Sequence, residues 1–247
     1  MMQLHVIASG SKANSYLLET SSGTIILEAG VPIKKVLHAL DFNLKNVIGC
    51  FVTHEHGDHA KYVKEYLENG INVYMSNGTK ETLNLRYAQV IPTGKRKVFK
   101  NISVAVFETE HDATEPIGFL INDVFTDEKL IFATDTYYVR YKFKDIDYIL
   151  VECNYAFDIL DDNIEAGIIR HERLNRLRSS HFELGNVKEF ISANNSKHLK
   201  NVVLLHLSAQ NSDKERFKRE IEAITRANVN IAESGLKITL GDASWEL

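Results

Sequence analysis

The run Thr53-His54-Glu55-His56-Gly57-Asp58-His59 stands directly behind an apolar segment, Val47-Ile48-Gly49-Cys50-Phe51-Val52, and reads as a metal site. An apolar segment of strand length delivers the turn after it to the edge of a sheet, where a short loop can gather several donors around a cation. His54 and His56 then point to one metal, while Asp58 and His59, displaced as the chain bends into a helix, are placed to meet a second. Imidazole and carboxylate without a thiolate suit zinc, manganese or iron. Three of the chain's ten histidines fall within this short run and an aspartate joins them, a density that a solvated loop does not account for.

Upstream, Gln3 to Ala8, Tyr16 to Leu18 and Thr24 to Leu27 are strand-like. The small polar segment Ser9-Gly10-Ser11-Lys12-Ala13-Asn14-Ser15 between the first two is either a plain turn or a means of bringing backbone amides to a site. Pro32 opens a helix over Ile33 to Leu40 with Ile33, Val36, Leu37 and Leu40 on one face. Downstream, Ala60 to Leu67 reads as a helix closed by Asn69-Gly70, Ile71 to Met75 as a strand, and Asn77 to Leu85 as a helix.

Further polar residues then arrive at strand ends. Val98 to Phe107 reads as one strand ending near His111, Lys129 to Ala133 hands over Asp135, and Asn201 to Leu205 hands over His206. A lone loop histidine means little, but the first cluster lacks donors to close two coordination spheres, and the two oxygens of Asp135 can bridge two cations. The segment Ile168 to Arg178 reads as helical and is the most basic in the chain. It is either a solvated face or a phosphate grip, with Ser179-Ser180-His181 next to it. Helices are expected over Leu184 to Ala193 and Lys214 to Arg226, and strands near Val229 to Ala232 and Leu236 to Leu240. Tyr137, Tyr138 and Tyr155 follow site-bearing strands and are either core and rim or surfaces for stacking a base.

At 247 residues and 44% hydrophobic content, a single domain spanning 1–247 is expected. No apolar run approaches the roughly 20 residues of a membrane span, and the N-terminus lacks the order of a signal peptide, so a cytoplasmic protein is expected. Cys50 and Cys153 sit in or beside apparent strands as small core residues, which fits a reducing compartment. A formal net charge of -4 argues against a broad basic track for long duplex nucleic acid.

The order His-x-His-x-Asp-His, then His111, Asp135 and His206, resembles the metallo-β-lactamase fold superfamily over essentially the whole chain. That resemblance implies an α/β fold, a four-layer αββα sandwich with two metals along one edge of the sheets. Carried over position by position, it implies His54, His56, His111 and Asp135 on one metal and Asp58, His59, Asp135 and His206 on the other. Both metals are expected to be zinc, or manganese in its place. The absence of a cysteine ligand and the presence of Asp58 fit the phosphodiesterase branch of that superfamily. His111-Asp112-Ala113-Thr114-Glu115-Pro116-Ile117-Gly118-Phe119 and His206-Leu207-Ser208 resemble the ribonuclease Z and YycJ/WalJ-like groups. Ser9-Gly10-Ser11 with Asn14-Ser15 is similar to the opening of the latter, which are thought of as DNA exonucleases. The chain is also similar to small phage-borne members, among them the dimeric anti-Pycsar cyclic-nucleotide phosphodiesterases, which implies a homodimer. No long arm of the kind that holds transfer RNA in ribonuclease Z is visible.

The expected function is a dinuclear zinc-dependent phosphodiesterase in which a metal-bridging hydroxide attacks a nucleotide-type phosphodiester. Asp58 orients that hydroxide or takes its proton, and His181 either protonates the leaving oxygen, binds the phosphate, or is a surface histidine at a helix start. The acidic net charge and the lack of a clamp favour a small cyclic nucleotide, with a counter-defence role in the host cytoplasm if a phage carries the gene. The alternatives are a single-strand DNA or RNA exonuclease and, behind it, an ester, thioester or lactam hydrolase. No membrane partner is expected.

Overall fold

The computed structural model describes residues 1–169 and 172–241. The first half of the chain builds one sheet. β1 (Gln3–Ala8), β2 (Ser15–Thr20) and β3 (Gly23–Leu27) form an antiparallel meander, and α1 (Ile33–Ala39) crosses over to β4 (Val47–Phe51), parallel to β3. Short helices α2 (Gly57–Ala60) and α3 (Val63–Glu68) lead to β5 (Val73–Met75), and α4 (Asn77–Thr82) leads to β6 (Gln89–Val90). The second sheet opens with antiparallel β7 (Arg96–Phe99), β8 (Ile102–Glu108), β9 (Ile117–Asp123) and β10 (Glu128–Ala133). It continues in parallel through β11 (Tyr148–Glu152), helices α5 (Phe157–Glu165), α6 (Glu172–Ser180) and α7 (Leu184–Asn194), β12 (Asn201–Leu205), α8 (Lys214–Glu222) and β13 (Asn228–Ile231). β14 (Lys237–Thr239) then returns to pair with β1. The sheet orders are β14-β1-β2-β3-β4-β5-β6 and β13-β12-β11-β10-β9-β8-β7.

The period-2 alternation of side chains decides how these pieces stack. On β2, Tyr16 and Leu18 enter the core between the sheets, where Phe51, Phe119, Phe132 and Leu150 meet them. Leu17, one residue out of phase, packs on the other face against Val36 of α1 and Val63 and Tyr66 of α3. On β11, Leu150 faces inward while Ile149 and Val151 face Val187 and Ile191 of α7 and Phe217 and Ile221 of α8. Both sheets are therefore buried on both faces, helix-sheet-sheet-helix, which is the four-layer αββα arrangement expected. Each such large apolar side chain, fully buried, contributes roughly 1.5–3 kcal/mol. Cys50 and Cys153 are free and buried in these layers. Among the described residues no helix is long and apolar enough to cross a membrane.

Several elements differ from the sequence reading, the first being the helix expected over Ala60 to Leu67, which a turn at Lys61-Tyr62 breaks into α2 and α3. The strand expected over Val98 to Phe107 is a hairpin, Phe99 pairing with Ile102 across a turn in which Lys100 takes a φ of 53°. Apolar residues on both sides of the two-residue turn had hidden it. The helix expected from Ile168 does not include Ile168 or Ile169, because Gly167 in the left-handed region ends α5 just upstream; α6 is described from Glu172. The last helix stops at Glu222 rather than Arg226, where Asn195 donates to the Ile224 carbonyl and the chain turns into β13.

Register is what brings the site together. Ala133, Val151 and Leu204 lie side by side on β10, β11 and β12, so Asp135, Glu152 and His206 leave the sheet at one level. β3 and β4 of the facing sheet deliver Glu28 and the histidine run to the same edge. Glu28, Asp135 and His206 all have left-handed backbone, with φ of 70°, 46° and 52°. That conformation is uncommon outside glycine and clusters where a fold holds functional groups in place.

Candidate metal centre

Two donor clusters meet at this edge. His54, His56 and His111 form the first, their ring nitrogens within 4.8 Å of one another. Each ring is aimed by what its other nitrogen does. His54 Nδ1 lies 2.9 Å from Thr53 Oγ1, whose hydroxyl donates to Glu28 Oε1 at 2.6 Å, so the His54 proton sits on Nδ1 and the lone pair on Nε2. Nε2 is buried and has no hydrogen-bond partner among the described residues. His111 Nδ1 faces the Ser180 carbonyl at 2.7 Å and must donate, which leaves Nε2 bare and 3.0 Å from His56 Nδ1. Burial lowers the pKa of both His54, strongly, and His111, so both are neutral and fit to ligate.

The second cluster is Asp58, His59, Asp135 and His206. His59 Nε2 lies 3.3 Å from Asp58 Oδ2 and 3.3 Å from Asp135 Oδ1, and Asn14 Nδ2 reaches it at 3.0 Å. His206 Nδ1 lies 2.6 Å from Asp135 Oδ1 and 3.1 Å from Glu152 Oε1, and its buried Nε2, 3.6 Å from Asp58 Oδ2, has no hydrogen-bond partner among the described residues. Asp135 divides its carboxylate: Oδ1 faces His59 and His206, whereas Oδ2 faces His54 Nε2 at 3.9 Å and His111 Nε2 at 3.8 Å. A carboxylate with one oxygen toward each of two imidazole clusters, beside bare ring nitrogens aimed inward, fits a pair of divalent cations.

Imidazole and carboxylate charges in the second cluster offset one another. Burial opposes charge on His206, yet Asp135 and Glu152 push its pKa up to about 10. Burial likewise opposes charge on His59, and Asp135 with Glu28 raises it well above the usual imidazole range. Burial would raise Asp135, but the two imidazoliums hold it well below the carboxylate range. Asp58 also stays ionised, its burial outweighed by His59.

His181 stands beside both clusters, its Nδ1 donating to Glu152 Oε1 at 2.6 Å. Burial disfavours its charge, but Glu152 raises its pKa above 6.5. Glu152 lies within reach of a third grouping with Asp135, His181 and His206. Its acceptors are occupied, however: Oε1 by the two histidines, Oε2 by the Thr136 and Phe182 amides at 2.9 and 3.2 Å. It orients histidines rather than offering a free oxygen to a cation.

A cavity of about 590 Å³ opens over the cluster, lined by Ser11, His56, Asp58, His111, Asp135, Arg176, His181 and His206 among others. Arg176 Nε donates to Asp112 at 2.7 Å, which tethers the guanidinium at the cavity wall and leaves its other donors. Arg178 instead pairs with Asp161 and lies over Phe157. Arg170 of the same basic stretch lies outside the described residues, as does the side chain of Arg173.

All eight candidate residues, the seven in the two clusters and His181, are thus gathered at one edge. Sequence reasoning passed over four groups that act on them. Asn14 reaches His59, Ser9 Oγ accepts from the His206 amide at 3.0 Å, and Glu28 and Glu152 aim histidines. The Gly10 amide, by contrast, turns back onto Asn14 Oδ1 inside its own turn. Glu28 and Glu152 stand at or just past strand ends, the same signal that marked Asp135 and His206. Tyr155 is buried, packed edge-on to Phe157, so it presents no face to a base.

A family model described as the metallo-beta-lactamase superfamily matches residues 9–140. The exodeoxyribonuclease WalJ of Streptococcus pneumoniae is 29% identical over 227 residues, covering 85% of this chain and 83% of that protein. The anti-Pycsar protein Apyc1 of Saccharibacillus brassicae is 24% identical over 129 residues, 50% of this chain and 52% of that protein. Among solved structures, the metallo-beta-lactamase fold protein YhfI from Bacillus subtilis superposes with a TM-score of 0.72 at 15% identity, over 96% of this chain and 98% of that one.

Proposed function

This chain belongs to the metallo-β-lactamase superfamily, and we propose that it is a dinuclear metal-dependent phosphodiesterase that shortens single-stranded nucleic acid from an end. The observation that carries the chemistry is the divided carboxylate of Asp135, one oxygen toward each imidazole cluster. The choice of a polymer rests on similarity along most of the chain to an exodeoxyribonuclease, and it reverses the preference for a small cyclic nucleotide drawn from net charge. A net charge is a weak guide here, because a single-strand end needs only a local grip.

His54, His56, His111 and Asp135 would hold one cation and Asp58, His59, Asp135 and His206 the other; nitrogen and oxygen donors without thiolate suit zinc, with manganese as the alternative. Bound there, the pair supplies Lewis acidity toward a phosphoryl oxygen and a water acidic enough to attack near neutral pH. The chain's own residues do the rest. Arg176, fixed by Asp112 at the cavity wall, grips a non-bridging phosphate oxygen. His181, its pKa raised by Glu152, keeps a proton on Nε2 and passes it to the leaving 3′ or 5′ oxygen, while Glu152 holds Nδ1 and fixes the ring. Ionised Asp58, partly exposed in the cavity, orients the attacking water.

Incubating zinc- or manganese-loaded protein with end-labelled single-stranded DNA and RNA beside cyclic AMP, GMP, CMP and UMP tests this, with His56→Ala as the inactive control. Progressive shortening of the polymers supports the proposal. The second reading, a cyclic-nucleotide phosphodiesterase, has in its favour the half-length similarity to Apyc1, and hydrolysis of the cyclic nucleotides alone would select it.

A further inference from the structure

The connection from β10 to β11 carries Tyr137-Tyr138-Val139-Arg140-Tyr141-Lys142-Phe143-Lys144, aromatic and basic residues in alternation, starting two residues after Asp135. It contains no helix or strand. Its shape is nonetheless fixed. Thr136 accepts at Oγ1 from the Glu110 amide and donates to the Tyr138 carbonyl at 2.7 Å, and its own amide is held by Glu152. Val139 is buried, and the Phe143 amide donates to Asn194 Oδ1 at 2.7 Å. Tyr138 is 51% exposed between these anchors.

A cavity of about 200 Å³ lies between this segment and one face of α7, with Tyr138, Tyr141 and Lys142 on one wall and Asn186, Glu189 and Phe190 on the other. It adjoins the metal centre along the chain on both walls, since Asp135 and His181 line the first cavity and Tyr138 and Phe182 the second. From Asn186 to Ala193 it follows the helix for about 10 Å, away from the metal edge. Among the described residues, Lys142 makes no ion pair and the side chains of Asn186 and Glu189 have no hydrogen-bond partner. Arg140, in contrast, is paired with Glu108 and Glu110.

We propose that this groove is a subsite for the nucleotide next to the one being cleaved, with its base stacked on Tyr138, its base edge met by Asn186 and Glu189, and its phosphate met by Lys142. An exposed aromatic face beside an unpaired lysine on a pinned loop is what a single strand needs: a stacking surface and a cation on its backbone. Asn186 both donates and accepts, and Glu189 accepts from an exocyclic amino group. The inference rests on the exonuclease reading and deepens it.

Tyr138→Ala and Lys142→Ala change exposed side chains, and the backbone bonds of Tyr138 to Thr136 survive either, so both variants fold. The first readout is fluorescence anisotropy of a labelled six-nucleotide oligodeoxycytidine, whose bases carry the exocyclic amino group, on metal-free protein. Tyr138→Ala is expected to weaken binding about tenfold, the effect of losing one stacked base. The second readout is the KM of loaded enzyme for oligonucleotides in which the base next to the cleaved nucleotide is absent. Wild type loses about tenfold against the intact strand, and Tyr138→Ala loses nothing further. Equal penalties in both proteins, or unchanged binding by Tyr138→Ala, overturn the subsite while leaving the exonuclease reading standing. Failure of wild type to bind or shorten any oligonucleotide overturns both.

Discussion

Gly30 has no role in the chemistry, yet its replacement by alanine would displace half of the metal centre. A Cβ built on Gly30 falls 1.8 Å from the Asp58 carbonyl oxygen and 2.7 Å from the Asn14 amide nitrogen, against the 3.0 Å below which real contacts of this kind are essentially absent. Those atoms are backbone, already bonded to one another: the Asn14 amide donates to the Asp58 carbonyl at 2.8 Å and the Gly30 amide to the Asn14 carbonyl at 3.0 Å. The clash cannot be relieved by a rotamer, so the Asp58–His59 turn must move by more than 1 Å. Overpacking of this kind costs about 1–3 kcal/mol, and at this chain length roughly 2–4 °C of Tm per kcal/mol. Misplacement by an ångström costs on the order of a hundredfold in turnover. Gly30→Ala should therefore lower the Tm of metal-free protein by about 2–12 °C. In a zinc titration against a chromophoric chelator it should weaken one equivalent, that of Asp58, His59 and His206, while the equivalent held by His54, His56 and His111 stays near wild type. Gly57→Ala, in the same loop but with nothing within 4 Å of its Cβ, is the control and should change neither. Two unaltered zinc equivalents and an unaltered Tm in Gly30→Ala would refute the description of how the turn is held.

Replacing His181 with asparagine should lower turnover of an ordinary nucleic-acid diester by about 10²–10⁴-fold, measured with a labelled strand. The same variant should lose far less on bis(p-nitrophenyl) phosphate, whose leaving group needs no proton; equal losses on both would remove His181 from the acid role. Because Glu152 raises the His181 pKa above 6.5 against the effect of burial, the protonated, donating form persists below that raised value. Turnover should then fall as pH rises through it, and Glu152→Gln should move that falling limb to lower pH. A pH profile with the limb unmoved would contradict the pairing. In metal-free protein at pH 7, His206, with a pKa of about 10, and His59 carry protons that a cation must displace. Zinc addition to weakly buffered apoprotein should release protons seen by an indicator dye, and apparent affinity should weaken as pH falls; uptake without release would contradict it.

The parts of this molecule that the sequence announced are those whose signal is local. Period-2 alternation set the layers because Leu17 and Leu18, neighbours in the chain, must enter different cores. The ligand candidates could be found because histidine and aspartate are conspicuous directly behind apolar strands. Asn14, Glu28 and Glu152 were missed because what they do depends on partners 45, 25 and 54 residues away, respectively His59, Thr53 and His206. Nothing in the run Val98 to Phe107 distinguishes a long strand from a hairpin until Lys100 is seen in the left-handed region. The relatives favour the exonuclease alternative over the small substrate that net charge had suggested, for a similar reason. Net charge sums over the whole surface, whereas a strand end would be gripped at particular points on it, such as Arg176 at the cavity wall.

The most direct test of the central claim follows the length of a 5′- or 3′-labelled single strand over time with metal-loaded protein, beside His56→Ala and a chelated sample. The account predicts a ladder of strands shortened from an end, abolished by chelation and by the substitution. Intact strands in every lane, with or without turnover of cyclic nucleotides, would contradict it.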